Sequence, residues 1–268
     1  MKHITWFSII LSFACINIIT QTDDYNSLYF QGGCWMEFPQ IENMKMVSTE
    51  NDFTLQFWVS GGEIDIDEAP VLFSIINSNE NNKLTLSRDR GQPNSITLIV
   101  NNVVYPINIP SMDWSNSNNF YLISLLFSAD KNLKVYINDS KIEGVLDNAG
   151  SISIDDSHLI VGALANSDYD ILENFWYGYI DEIRIWNTWL ADSTIEFQSI
   201  HPNKLGESYR YTENDIGIST HLDSLVGLWR FNILEPNALM EDESEYNNDG
   251  IIYTLPNYTV ELSKKGAQ

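Results

Sequence analysis

Basic residues are scarce in this sequence: 268 residues carry 14 Lys and Arg against 37 Asp and Glu, a formal net charge of −23 at pH 7. Binding of nucleic acid or of an anionic membrane surface relies on clustered cations that displace phosphate counterions, so both are disfavoured as partners. Cysteine is scarcer still, with Cys15 and Cys34 the two in the chain. If Cys15 is removed with a leader or carries a lipid, Cys34 has no intrachain partner and there is no disulfide framework. Its setting between Gly33 and Trp35, in a strand-like run, reads as a buried free thiol. The four His residues are scattered, and H-E-x-x-H, G-x-S-x-G and phosphate-cradling glycine loops are all missing. The enzyme classes that depend on them find no support.

A single long apolar stretch is present, at the start. Lys2 and His3 precede Ile4 to Ile19, and Gln21, Thr22, Asp23 and Asp24 then turn the chain polar. That order is an export signal over residues 1–20, and a membrane span would need about 20 apolar residues without the interruptions at Thr5, Ser8, Ser12 and Asn17. Two readings stay open. Leu11-Ser12-Phe13-Ala14-Cys15 resembles a bacterial lipoprotein signal, in which Cys15 would be lipidated; a plain signal peptide would be cut near Thr20.

From Leu28 onward, short β-branched and aromatic segments alternate with Asn, Asp, Ser and Gly clusters, the punctuation of strands and turns. Thirteen strands are predicted, among them Phe53–Val59, Ser95–Val100, Val103–Ile107, Leu133–Ile137 and Phe175–Trp186. In Leu133–Ile137, Leu133, Val135 and Ile137 alternate with Lys134 and Tyr136, which buries one face. Asn101-Asn102 and Asn138-Asp139 supply the turn residues that tolerate positive φ. One helix is expected, opened by a capping box at Ser193-Thr194-Ile195-Glu196 and ended by His201-Pro202. The absence of βα alternation points to an all-β, two-sheet antiparallel sandwich with one short helix.

The string Tyr177-Gly178-Tyr179-Ile180-Asp181-Glu182-Ile183-Arg184-Ile185-Trp186-Asn187 resembles the penultimate strand of laminin-G-like domains in the concanavalin A-like lectin/glucanase superfamily, written G-x-I-D-E-V-R-I-W. Leu28–Gly32, Phe53–Val59 and Leu133–Asn138 are similar to that family's L-x-F-D-G, F-T-I-S-x-W-V and L-x-L-Y-V-D-G segments, in the same order. Gln31 stands where the family has Asp, and Asp139-Ser140 replaces its turn Gly. The resemblance implies a jelly-roll, concanavalin A-like sandwich over residues 25–260. It also implies a structural Ca²⁺, for which the matching positions are Asp181 and the carbonyl region of Gly32-Gly33.

Two chemistries compete. Gly62-Glu63-Ile64-Asp65-Ile66-Asp67-Glu68 resembles the E-[ILV]-D-[IV]-x-E signature of retaining endo-glucanases in the same superfamily. On a strand, Glu63 and Asp65 would share a face, a bulge at Asp67 would return Glu68 to it, and carboxyls about 5–5.5 Å apart would act as nucleophile and acid/base. The setting opposes this: the string falls between Phe53–Val59 and Pro70, at a connection that is variable in the laminin-G pattern, and reads better as an acidic solvated loop. The other chemistry is binding. Stacking on a sugar ring needs exposed aromatics, and Trp114, in the turn-rich segment 111–119, and Tyr169, between two Asp residues, are the candidates. Trp58, Trp186 and Trp229 lie in strands and are assigned to the core. The leading expectation is an exported non-catalytic module for a glycan or a cell-surface protein. An endo-glycosidase using Glu63 and Glu68, and a structural, adhesin-like surface component, are the alternatives.

Overall fold

The computed structural model describes residues 27–39, 52–62, 69–77, 80–89, 92–128, 133–142, 157–165, 172–202, 224–231 and 239–267. Along the chain, β1 (Ser27–Gln31) turns through Gly32 and Gly33, both at positive φ, into β2 (Cys34–Glu37). β3 (Phe53–Gly61), β4 (Val71–Asn77) and β5 (Glu80–Arg88) follow. β6 (Ser95–Val100) and β7 (Val103–Asn108) form the hairpin expected at Asn101-Asn102, whose φ values are 47° and 67°. β8 (Tyr121–Phe127), β9 (Leu133–Ile137) and β10 (Ser140–Ile142) form a meander, with Asn138 at φ 54°. β11 (Ser157–Val161), β12 (Leu164–Ala165) and β13 (Leu172–Glu173) lead into the long β14 (Tyr177–Trp186). Then come α1 (Asp192–Ile200), β15 (Leu225–Arg230), β16 (Leu239–Met240), β17 (Gly250–Thr254) and β18 (Val260–Ser263).

Two large antiparallel sheets result, and β12 and β13 pair as a small third. One runs β10-β9-β8-β3-β14-β1-β18, and the other runs β16-β17-β2-β11-β4-β5-β6-β7. Their facing sides close on one apolar core that includes Phe30, Phe57, Phe73, Trp176 and Ile183, with the rings of Phe57 and Phe73 stacked at 5.0 Å across the interface. Stacked sheets bury one face of each strand in this way. The two-sheet sandwich with a single helix is therefore the architecture expected from the sequence.

β3 explains why the first sheet has a second covered face. All nine of its residues are buried, although alternation alone would leave every other one in water. Phe53, Leu55, Phe57 and Val59 enter the core. Thr54, Gln56, Trp58 and Ser60 point outward and are covered by other elements. Over one half lies α1, packing Ile195 against Leu126, Trp186 and Leu228. Beneath it, Gln56 donates to Ser124 Oγ (3.0 Å) and Gln198 Oε1 (2.9 Å) and accepts from Trp186 Nε1 (2.8 Å). The amide is thus satisfied on both ends, as burial requires. Over the other half, the chain after β18 lays Ala267 on Trp58 and Leu122.

α1 departs from expectation at its start. It begins at Asp192, the residue before it is Ala191 in an extended conformation, and no side-chain cap hydrogen bond is made. Thr194 N and Ile195 N bond instead to Ala191 O, so the Ser193/Glu196 pair does not form the predicted box. The helix is held by its buried side, Thr194, Ile195, Phe197 and Gln198, consistent with short helices drawing stability from packing. Its end at Ile200 agrees with the sequence reading.

β14 has two neighbours on one edge. Its first half pairs with β1 (Leu28 opposite Ile180, Gln31 opposite Tyr177) and its second half with β15 (Glu182 opposite Arg230). Against β3, its other neighbour, the register shifts between Ile180 and Glu182, so Asp181 is the extra residue of a bulge.

Candidate glycan-binding cleft

Of the predicted site residues, the structure describes Gly32, Gly33, Trp114 and Asp181. Glu63, Asp65, Glu68, Tyr169 and Cys15 lie outside the described residues. Trp114 is a correction: it is fully buried, edge-on to Trp176 at 5.6 Å and to Tyr121 at 5.5 Å, and is not an exposed platform. The turn around it is as polar as its sequence suggests, since Asp113 Oδ1 accepts from Ser115 N and Oγ. The ring nonetheless turns inward, because Trp114 N bonds to Pro93 O (2.8 Å) and the buried Arg88 guanidinium reaches Trp114 O (3.4 Å). Arg88 also bonds to Gly62 O at 2.9 Å and lies 5.8 Å from the Trp114 ring and 5.9 Å from the Trp176 ring. Burial lowers its pKa to about 10.

The positions matched to calcium lie apart. Gly32 and Gly33 lie beyond the Gln31 end of β1, where Gln31 faces Tyr177. Asp181 is four residues further along β14, which is roughly 13 Å at strand rise. Gly33 O accepts from Leu255 N (2.8 Å), and Asp181 Oδ2 accepts from Ala267 N (2.7 Å). Burial raises the Asp181 pKa to about 7, the Ala267 amide opposing the shift. A lone, largely desolvated carboxylate does not supply the six to eight oxygens that Ca²⁺ takes, and no group of three or more His, Cys, Asp or Glu with metal-holding geometry occurs among the described residues. Arg184 pairs with Glu182 and donates to Pro202 O (3.0 Å). Cys34 is the buried free thiol expected; its Sγ lies 3.5 Å from Thr259 O, and burial pushes its pKa up to about 11.

A concavity does form on the outer face of the first sheet, in the gap between its two covers. It encloses about 620 Å³, within the range typical of small-ligand sites. Trp58, from the centre of β3, lines it, with Phe120 and Tyr121 at the entry to β8. Asn118 and Asn119 come from the loop before β8, Asn138 from the β9–β10 turn and Ser199 from the last turn of α1. Lys264, Lys265 and Gly266 close the remaining side. Trp58 is 4% exposed, and its indole N–H has no hydrogen-bond partner. Asn138 uses Oδ1 to accept from Leu122 N (2.9 Å), which leaves its NH₂ as a donor. Beyond Phe120 the wall continues in partly buried tyrosines: Phe120 lies 6.3 Å from Tyr179, which stacks on Tyr29 at 4.6 Å. Burial, then the hydrogen bond and proximity of Tyr177, raise the pKa of Tyr29.

The sequence reading missed this cleft. Trp58 was rightly assigned to the interior, but interior here means the space under the C-terminal segment. One signal was available: Lys264-Lys265 is the only pair of adjacent basic residues in the chain.

Residues 31–196 match the laminin-G-type family described as the concanavalin A-like lectin/glucanases superfamily. The chain belongs to this superfamily. Among solved structures, this superfamily member is similar to a native heptameric SAP-like pentraxin from Limulus polyphemus (TM-score 0.50, 18% identity, covering 66% of this chain and 83% of that one). It is also similar to a putative carbohydrate binding protein from Bacteroides ovatus ATCC 8483 (TM-score 0.52, 12% identity, 87% and 61%). A third likeness is to Trypanosoma rangeli sialidase in complex with 2,3-difluoro-KDN (TM-score 0.50, 16% identity, 66% and 27%). This superfamily member thus spans 61% of the Bacteroides protein and 27% of the sialidase. At such identities the likeness is one of fold. No curated protein matches the sequence.

Proposed function

We propose that the chain is a non-catalytic, lectin-like module that binds a glycan in the cleft between α1, the loop before β8 and the C-terminal segment, and that it works after export. The observation that carries this is a concave cleft of about 620 Å³ whose aromatic residues Trp58, Phe120 and Tyr121 stand beside asparagine, serine and lysine side chains. The Trp58 ring gives the cleft an apolar floor against which the face of a sugar ring can pack. The asparagine and serine side chains offer the mixed donors and acceptors that hydroxyls need. Between the two ligand classes expected from the sequence, concavity favours a glycan, because a protein partner would bury a broad surface of about 800 Å² per side. The similarity to a putative carbohydrate binding protein supports the reading at the level of fold. Export rests on the apolar segment of residues 1–20.

Screening the full chain on a glycan array, followed by calorimetry of each hit with wild type and Trp58→Phe, tests the proposal. The variant should lose about tenfold in affinity while its melting temperature stays within a few degrees, because replacing an unpaired donor by an apolar edge is close to neutral for folding. Unchanged affinity would remove the cleft from the account. Release of reducing sugar from a β-glucan, abolished by Glu63→Gln, would replace binding by catalysis.

A further inference from the structure

Charge sets the cleft apart from the rest of the molecule. In a chain with 37 Asp and Glu, none of the described residues lining it is acidic, and two are lysines. Among the described residues neither Lys264 nor Lys265 joins an ion pair. We propose that the ligand is an acidic saccharide, a sugar bearing a single carboxylate or sulfate, whose anionic group is held by Lys264 and Lys265 while its ring lies towards Trp58. The proposal rests on the glycan reading above and narrows its ligand class.

The charged groups of the cleft are donors only: Lys264 is exposed, and beside the lysines the Asn138 NH₂ is free of the contact its Oδ1 makes. Lys265 Nζ spends one donor on Ser117 Oγ (2.6 Å) and keeps two. A site rich in donors and poor in carboxylates selects a ligand rich in acceptors, and bonds from a charged donor to a charged acceptor are the strongest of these.

The ammonium of Lys265 is also positioned in advance. Its carbonyl accepts from Ser27 Oγ (2.6 Å), Ala267 N two residues on is held by Asp181 (2.7 Å), and Nζ lies 4.9 Å from the centre of the Tyr179 ring. Three fastenings within residues 265–267 lower the ordering cost that a flexible lysine would bring to binding. The surrounding charge of −23 sets the size limit. Beyond a Debye length of about 8 Å at physiological salt, a long polyanion meets net repulsion, whereas one acidic group inside the cleft sees chiefly the two lysines.

The test uses the full chain, ¹⁵N-labelled, following the Trp58 indole resonance assigned by its loss in Trp58→Phe. Glucose and galactose are titrated against glucuronate, galacturonate, glucose 6-sulfate and galactose 6-sulfate, at 50 and 300 mM NaCl. The acidic member of a pair should shift the Trp58 resonance with at least about tenfold tighter binding than the neutral one, about 1.4 kcal/mol. That ratio should shrink at 300 mM NaCl and collapse in Lys264→Gln/Lys265→Gln. Lys264→Gln alone, at an exposed position, gives a partial loss and serves if the double variant melts early. A preference confined to carboxylates or to sulfates identifies the acid.

Equal shifts by neutral and acidic sugars, unaltered in the lysine variants, overturn the acidic assignment and leave the glycan reading standing. Acid-selective binding that leaves Trp58 unshifted, or that survives both lysine changes, also overturns it by moving the site elsewhere. No binding by any sugar here or on the array removes the glycan reading, and this proposal with it.

Discussion

Asp181 is extruded by a bulge from the ladder of β14, and the end of the described chain folds over it, so desolvation of the carboxyl outweighs the Ala267 amide and the attraction of Arg184 and Arg230. Its pKa, about 7 in the folded state against 3.8 ordinarily, fixes the sign of a pH effect. Between those values the folded state holds more protons than the unfolded one, so stability contributed by this residue is present below about pH 4 and falls as pH rises towards 7. Burial raises the pKa of Glu243 as well, which adds in the same direction. Asp181→Asn should keep the acceptor for Ala267 N and abolish the titration. Melting curves at pH 4.5 and 7.5 should show the variant gaining on wild type by on the order of 2 kcal/mol at the higher pH. Parallel curves would mean that the carboxyl is more solvated than its contacts indicate. At this scale the sequence was a partial guide. It singled out Asp181 through the family motif, but a motif carries no information about the bulge at that residue or about what covers it. The polar residues flanking Trp114 suggest exposure, whereas long-range contacts, to Arg88 for Trp114 and to Ala267 for Trp58, decide it.

Among the elements, strands with alternating or fully apolar side chains were legible: Ser95–Val100 and Leu133–Ile137 form at the expected bounds. β18 was not legible. Its sequence, Val260-Glu261-Leu262-Ser263, is short and largely exposed, and backbone pairing with β1 defines it, from Ser27 opposite Ser263 to Phe30 opposite Val260. The two-residue strands β12, β13 and β16 escape for the same reason. Pairing of this kind protects an edge. Truncation after Thr259 should therefore bare β1 together with Trp58 and Leu122, and light scattering coupled to size exclusion should detect dimers or larger species. A truncated chain that ran as a monomer would show that β18 is dispensable as an edge guard. α1 gives a contrasting case. With no side-chain cap and a buried Ile195 that packs against the sheet, the helix is anchored by burial, and Ile195→Ala should cost about 2–4 kcal/mol in denaturant titration. A cost below about 1 kcal/mol would mean that α1 docks mainly through Gln198 and its buried amide network.

For the molecule as a whole, composition and the ordered family segments foretold the sandwich, since two opposed sheets are how many short amphipathic strands share one core. The binding face could not be foretold, because the cleft is assembled from β3, the loop before β8, a hairpin turn, the end of α1 and the C-terminal segment, which are dispersed over more than 200 positions of sequence. A net charge of −23 spread over this surface repels itself, and added salt screens that repulsion. The melting temperature should rise by a few degrees between 20 and 300 mM NaCl; a flat response would show that local pairing already offsets the charge. The hydrogen bond from Ser27 Oγ to Lys265 O reaches further than its 2.6 Å. It makes the described fold a nearly closed loop of chain whose two ends leave side by side at the rim of the cleft. A tether, reporter or fusion partner attached at either end would crowd the mouth, and the hairpin at Asn101-Asn102, on an edge of the other sheet, is the better place to carry one.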